Sequence, residues 1–513
     1  MSMVAKKLTD SLFFILNKIM RSHHRQFVIG SEPFYADNTW CCHQLSSSLW
    51  VSHCPDLRVG WTQDLEGVKW GVLGLAIESI QEKLDPLKEI AKTNTTKVTN
   101  IYSSWSGRWV LFGNNQIHPD ASSLLGCFYG IRDGKIWVSS SPVLLAKILF
   151  PARKPLVDSR VLTYEVGISW FTPPHSRFSG IQRLLPSQII DFKEQKIKPR
   201  SLMPPIDTSR NHTEILDLVK SALITIIKKL QEVSQEIWLG LTAGYDSRLM
   251  LVLSRAAEVE IKPFTRIATR TSIADLVLPP ELARKCGYDH VFMQVGKRDT
   301  QRQRLVVEHS GGHISEGDAE PFIKGVRQGM TGISFGGHGF AIASGFAKLP
   351  TLPPTFDNPE IGAKQIAQLF QESANSTATA GLQEWLTWVE KYPQKNLDWR
   401  DRFYLEQRQA GWLSSKEQVY DLGQLERFPI LNCAYIYSIL LSVKKEQRIG
   451  SFVQEDLIGQ VMPELLEYPF NPDDFYFGIG RIIRSKSWNM PQYVSGKLAS
   501  KLRWLSRSLM LPS

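Results

Sequence analysis

Glu236-Ile-Trp-Leu-Gly-Leu-Thr-Ala-Gly-Tyr-Asp-Ser-Arg-Leu-Met-Leu-Val-Leu253 is the stretch around which the chain is organised. An apolar run with Ile237, Trp238, Leu239 and Leu241 stops at Thr242-Ala243-Gly244, and Leu249, Val252, Leu253 and Ala256 follow at helical spacing. This pattern predicts a buried strand, a tight turn and a helix. Small residues in the turn let backbone amides come close to a ligand, and the free N–H groups of the helix start, with the positive end of its dipole, favour an anion. Phosphate is the expected anion. Asp246 alone would repel phosphate, so a Mg²⁺ ion between the two is the arrangement that reconciles them. Such turns also occur in α/β proteins without any ligand, and the stretch alone divides evenly between the two readings.

The flanking sequence continues the alternation. Upstream, Asn211 followed by Glu214 reads as a capped helix start, and Ile215, Val219, Leu223, Ile226, Ile227 and Leu230 recur at helical spacing behind it. Downstream, Ile261-Lys-Pro-Phe-Thr265 is a second strand, a helix containing Pro280-Glu-Leu-Ala-Arg284 follows, and His290-Val-Phe-Met-Gln-Val295 is a third strand. Gly332-Ile-Ser-Phe335 is a further strand candidate that runs into Gly336-Gly-His-Gly339. The expected fold class is α/β, a doubly wound parallel sheet whose ligands bind outside the carboxyl ends of its strands. Two small-residue turns facing one crevice are a stronger sign of a nucleotide site than one.

The region from 26 to 150 is instead rich in short strands. Gly107-Arg-Trp-Val-Leu-Phe112, Leu125-Gly-Cys-Phe-Tyr-Gly-Ile131 and Lys135-Ile-Trp-Val-Ser139 are β-prone, with Arg132-Asp-Gly134 as a hairpin turn. Gln188-Ile-Ile-Asp-Phe192 closes this first domain, and 201–209 reads as a linker. Three parts are expected: a strand-rich domain over 1–200, the α/β domain over 213–475 and a tail over 476–513. Cys41-Cys42-His43 with His53-Cys54 raises the question of zinc, but adjacent cysteines lack the two-residue gap that lets both sulfurs face one ion, and buried thiols are the favoured reading.

At 513 residues, 43% hydrophobic and 21% charged, the chain has the composition of a multi-domain globular protein, not a disordered one. Its formal charge of +10 permits anionic partners, yet no dense basic arm appears, and nucleic acid is not expected. Six cysteines fit a reducing cytoplasm better than a disulfide scaffold. Lys6 and Lys7 precede Leu12-Phe-Phe-Ile-Leu16, but Asp10 and Lys18 interrupt the apolar run, so neither a signal peptide nor a membrane span is expected. Leu8, Leu12, Ile15, Leu16 and Ile19 instead suit one face of a helix.

Leu241-Thr-Ala-Gly-Tyr-Asp-Ser247 resembles the pyrophosphate-binding loop of the asparagine synthase family, usually Ser-Gly-Gly-any-Asp-Ser. Gly337-His-Gly-Phe-Ala-Ile-Ala-Ser-Gly345 is similar to that family's second loop, Gly-Glu-Gly-Ala-Asp-Glu-Leu-Phe-Gly. Gly180-Ile-Gln-Arg-Leu-Leu-Pro186 resembles the segment before the family's domain junction. Asp401-Arg-Phe-Tyr-Leu-Glu-Gln-Arg408 and Phe428-Pro-Ile-Leu-Asn432 resemble its C-terminal helical region. The similarity extends over most of 100–470. It implies a degenerate glutaminase-like (Ntn-type) α+β domain followed by a nucleotide-binding synthetase domain with added C-terminal helices. Members bind ATP and Mg²⁺, transfer AMP to a carboxylate, and let an amine displace it to leave an amide. By that resemblance Leu241, Thr242, Ala243, Gly244, Tyr245 and Ser247 cradle the pyrophosphate, with Gly337 and Gly339 in the second loop. Asp246 serves as the catalytic carboxylate that binds or orients Mg²⁺, and Phe264 and Thr265 border the adenine.

The departures are as specific. Glutamine-using members carry Cys directly after the initiator Met, whereas this chain starts Met1-Ser2-Met3-Val4, so ammonia or an amine is expected from another source. Ala341 and Ile342 stand where the second loop has its acidic pair, and neither can bind a metal or take a proton. Lys444 and Lys445 are candidates for the family's lysine contact with phosphate. Asp275, Glu316 and Asp318 could replace the lost carboxylate, although caps or solvated charges are the plainer assignment. Trp399–Trp412 and 459–466 read as helices, and 349–360 and 372–381 as loops. The tail Lys497-Leu-Ala-Ser-Lys-Leu-Arg-Trp-Leu-Ser-Arg-Ser-Leu509 is a basic amphipathic helix that could dock on the protein or lie on a membrane surface. The expected function is an ATP-dependent amide ligase acting on a small-molecule or peptide carboxylate and an amine donor. The alternatives are a catalytically silent nucleotide-binding scaffold and a charge-driven surface binder.

Overall fold

A computed structural model of the chain describes residues 23–472 apart from 153–155, 158–160, 166–167, 268–270, 295–299, 313–329, 345–348, 351–352, 371–376, 424 and 449. The expected helices over 8–19 and 497–509, together with Glu316 and Asp318, lie outside the described residues.

Asn211 caps the first long helix, its side-chain oxygen accepting from the Glu214 amide at 2.8 Å, and α1 runs His212–Val233. Its apolar stripe is buried as the spacing requires. The chain then alternates through β1 (Ile237–Gly240), α2 (Tyr245–Ala256), β2 (Lys262–Ile267), α3 (Ile273–Lys285), β3 (Val291–Gln294), α4 (Thr300–Ser310), β4 (Ile333–Phe335) and α5 (Ala341–Ser344). Helices α6 (Pro359–Leu369), α7 (Thr377–Lys391) and α8 (Trp399–Phe403) follow. A π-helical stretch, Tyr404–Leu413, leads on into α9 (Ser414–Tyr420). After β5 (Glu426–Phe428) come α10 (Ala434–Leu441) and α11 (Phe452–Val461). The five strands are parallel in the order β3-β2-β1-β4-β5. The direction of winding reverses between β1 and β4, which leaves a crevice at their carboxyl ends.

The first part of the chain forms two six-stranded antiparallel sheets. Phe27, Ile29 and Val51 of one sheet meet Leu73, Val110, Phe112, Ile117 and Ile190 of the other in a shared core. The helix Pro142–Leu149 covers the outer face of the first sheet, and Ile90 and Val98 pack on Trp70, Trp105 and Trp109 of the second. The expected hairpin joins Phe128–Arg132 to Lys135–Ser139. Asp133 and Gly134 turn it at φ 53° and 72°, the paired positive values of a type I′ turn.

Buried polar groups tie this part to the α/β part. Arg108 donates to both carboxylate oxygens of Asp421 at 2.9 and 2.8 Å, and Arg183 donates to the hydroxyls of Ser414 and Ser415 at 2.8 and 2.9 Å. Asn432 bridges the Gly107 carbonyl and Asp120 at 2.6 and 2.7 Å. These contacts fix the ends of α9, one wall of the crevice.

Phe428-Pro-Ile-Leu-Asn432, likened above to a helical region, starts at the last residue of β5 and leads into α10. Two expectations are corrected. Residues 377–381 are the first turns of α7, whose Leu382, Trp385 and Leu386 are buried; small residues there pack closely instead of marking a loop. The helix read over 459–466 stops at Val461, since Pro463 cannot continue it and opens a 3₁₀ turn, Pro463–Glu467. Among the described residues no helix is long and apolar enough to cross a membrane.

Candidate functional site at the switch point of the parallel sheet

Beyond Gly240 the chain turns through Leu241, Thr242, Ala243 and Gly244 into α2. The Thr242 amide donates to Ser247 Oγ at 3.0 Å, the two hydroxyls lie 2.9 Å apart, and the Gly244 amide donates to Thr242 Oγ1 at 3.2 Å. The Ala243 amide donates to Asp275 Oδ1 at 2.7 Å, and Asp275 itself sits in the first turn of α3, capped by Ser272. Small side chains thus brace the turn from within. Gly244 is the N-cap of α2 and brings no side chain to it, so the first-turn amides are left for another acceptor.

The second turn leaves β4 and packs directly on the first. A Cβ on Gly337 would lie 2.5 Å from Asp246 Cβ and 2.6 Å from its carbonyl carbon and oxygen, so only glycine permits the contact. Arg448 holds the far side of this turn, donating to the Ile342 carbonyl at 2.7 Å while it pairs with buried Asp401 at 2.6 and 2.9 Å.

Where the turns meet, a cavity of about 840 Å³ opens, a size suited to a cofactor or nucleotide. Leu241, Thr242, Gly244, Tyr245, Asp246, Ser247, Phe264, Thr265 and Gly337 line it. Ala243 and Gly339 do not: Ala243 is buried beneath the turn, and Gly339, at φ 117°, bends the chain against Leu431. The Thr265 hydroxyl is engaged with the Leu241 carbonyl at 2.8 Å and His290 Nε2 at 2.9 Å, so it braces β1 against β2.

Asp246 Oδ1 accepts from Gln454 Nε2 of α11 at 2.9 Å. Burial pushes the Asp246 carboxyl up to about 6, with this hydrogen bond pulling weakly the other way. Arg248, two residues on, donates to the carbonyls of Leu465, Tyr468, Pro469 and Ala243. Its guanidinium lies 3.7 Å over the Phe470 ring, which stacks on Tyr245 at 3.8 Å. This clamp brings the 465–471 segment against the first turn and puts Asn471 into the cavity wall.

Cationic side chains line the cavity from both sides of the switch point. Arg266 at the end of β2, Lys416 on α9 and Arg427 on β5 all line the cavity. Arg427 donates to Ser334 Oγ at 2.9 Å and lies 3.5 Å from Glu417; Lys416 Nζ rests 4.5 Å over the Trp412 ring. His338 presents its ring to the cavity between them. Desolvation, then the charges of Lys416, Arg427, Arg266 and Arg408, lower that imidazole below its ordinary value, an effect that solvent screens because the residue is exposed at the cavity.

Lys416, Arg427, Arg266, Gln454 and Asn471 escape a reading of the sequence because each comes from a different, distant element. Only Arg266 carried a local signal, standing next to Thr265 at a strand end. Lys444 is exposed and does not line the cavity, and the Lys445 side chain lies outside the described residues. Asp275 does reach the cavity, though one of its oxygens serves the Ala243 amide. Ala341 lines the cavity with a methyl group, and Ile342 is buried.

The cysteine and histidine group near the N-terminus assembles no metal site. Cys42 Sγ donates to Ser52 Oγ at 3.2 Å, His53 Nδ1 bonds the Cys54 carbonyl, and all six cysteines are free thiols. Among the described residues no three His, Cys, Asp or Glu side chains converge anywhere. No protein-family model matches the chain, and no curated protein matches it.

Proposed function

We propose that the cavity binds ATP through its phosphates and that the protein uses it to activate a carboxylate for amide formation, in the manner of the asparagine synthase family that its sequence resembles. The observation that carries this reading is the convergence, at the switch point of a parallel sheet, of an uncapped helix start, a glycine-only contact between two turns and three cations lining the same cavity. The two stacked antiparallel sheets support reading the first part as a remnant of a glutaminase-like domain. A resident Mg²⁺ fits the donor set poorly: Ala341 brings a methyl group to the cavity, and Asp275 is partly engaged.

In this reading the first-turn amides of α2 and the hydroxyls of Thr242 and Ser247 face the phosphate chain, and Phe264 borders the base. Arg266, Lys416 and Arg427 offset the negative charge that grows as a carboxylate oxygen attacks the α-phosphorus and pyrophosphate leaves. The amine then attacks the acyl carbon, AMP departs, and His338 takes the proton the amine sheds. Asp246 positions the nucleotide from the helix start.

ATP–pyrophosphate exchange with a panel of carboxylates tests the proposal. Exchange with at least one of them, lost in Asp246→Asn, is expected. Absence of exchange across the panel, with ATP binding intact, would sink the ligase and favour the scaffold reading to which Ala341 and Ile342 already point.

A further inference from the structure

We infer that this site neutralises the phosphate chain of its ligand with its own side chains, so that nucleotide binds without a divalent cation. The inference rests on the nucleotide reading above and concerns how the charge of that ligand is met. Three positive side chains line the cavity, Arg266, Lys416 and Arg427, against two carboxylates, Asp246 and Asp275, with buried Glu417 3.5 Å behind Arg427. Both carboxylates already accept hydrogen bonds, from Gln454 Nε2 at 2.9 Å and from the Ala243 amide at 2.7 Å. A metal ion between protein and phosphates needs oxygen donors that converge, and the second turn offers Ala341 on the cavity side.

The cations, by contrast, are held in place by the fold. Arg427 is 8% exposed and keyed to Ser334 and Glu417. Lys416 projects from α9, whose other face is fixed by Arg183 through Ser414 and Ser415 and by Arg108 through Asp421. Fixed positive groups in an enclosed cavity need little reorganisation to meet an anion, and charge-assisted bonds to phosphate are among the stronger polar contacts. A guanidinium, an ammonium and a second guanidinium around one cavity match a linear polyphosphate better than a single carboxylate.

The test is a calorimetric titration of the full chain with ATP, with Mg²⁺ present and with divalent cations chelated, and with tripolyphosphate and adenosine as competitors. The affinity is expected to change by less than about three-fold on chelation. Tripolyphosphate should compete and adenosine should not. Lys416→Ala is expected to weaken binding about ten-fold in both conditions, in line with loss of one charge-assisted contact. Arg427→Gln should do the same; because Arg427 is buried, its thermal melt is recorded, and half-buried Lys416 carries the test if that variant unfolds. Binding that vanishes on chelation and returns with Mg²⁺ overturns this inference and leaves the nucleotide reading standing. Competition by adenosine equal to that of ATP also overturns it. Absence of ATP binding in both conditions overturns the nucleotide reading itself.

Discussion

The two turns that meet over the cavity are built on different principles. The first, after β1, is braced by side chains: Thr242 and Ser247 of the turn and the start of α2, and Asp275 of α3, hold three of its backbone amides. The second, after β4, is shaped by absence of side chains and by a distant anchor, since Gly337 lies against Asp246 and Arg448 grips the Ile342 carbonyl. The difference separates shape from chemistry. Ala341 and Ile342 bring no oxygen donors to the second turn, whose path rests on the backbone contact at Gly337, where a single methyl would move it.

The largest effect should come from the anchor. Arg448→Ala leaves Asp401 buried without its partner, and burial already raises that carboxyl above its usual range. A loss of about 3–5 kcal/mol is expected in chemical denaturation. A loss below about 1 kcal/mol would mean that the pair does not hold the second turn. Next comes the contact between the turns. Gly337→Ala forces displacement of backbone, at a cost of about 1–3 kcal/mol, and should weaken ATP binding more than the stability loss alone explains.

The first turn gives an effect of opposite sign. Burial lifts the Asp246 carboxyl to about 6 in the folded chain, against an ordinary aspartate value of 3.8. The folded state therefore holds a proton that the unfolded state has released, and stability falls as pH rises from about 4 to about 6. Two pH units correspond to about 3 kcal/mol at most. Asp246→Asn is expected to raise the melting temperature at neutral pH, by the equivalent of about 1–2 kcal/mol, with the gain shrinking as pH falls towards 4. A variant less stable than the parent at neutral pH would contradict the assignment of burial as the cause. The smallest effect on stability belongs to Ala341→Asp. That side chain faces the cavity, so the change should stay within about 0.5 kcal/mol, yet the new carboxylate should make nucleotide binding respond to Mg²⁺.

Much of the fold was legible because its elements carry local signals. Asn211 and Glu214 marked the helix start, Arg132-Asp133-Gly134 marked the hairpin, and the apolar run ending at Leu241 marked the strand whose turn forms the cavity floor. Nine of the eleven site residues taken from the loop pattern line the cavity, while Ala243 and Gly339 serve the backbone beneath it. The far wall was not legible. Lys416 projects from a helix that follows a π-helical stretch, Arg427 from a three-residue strand, and Gln454 from a helix 208 residues beyond the carboxylate it meets. No spacing rule joins positions so far apart; only the order of the parallel sheet and the Arg108–Asp421 pairing brings them to one place. The strand β5 shows the same limit, since its partner edge exists only after β4 is in position.

The cavity between the two turns is proposed as a nucleotide site whose shape depends on their contact. Equilibrium titration of ATP into the parent chain and into folded Gly337→Ala tests it most directly. Saturable one-site binding to the parent, weakened more than ten-fold in the variant, roughly the effect of one lost hydrogen bond to a charged group, is the expected result. Equal binding by both chains, or no saturable binding by the parent, would contradict it.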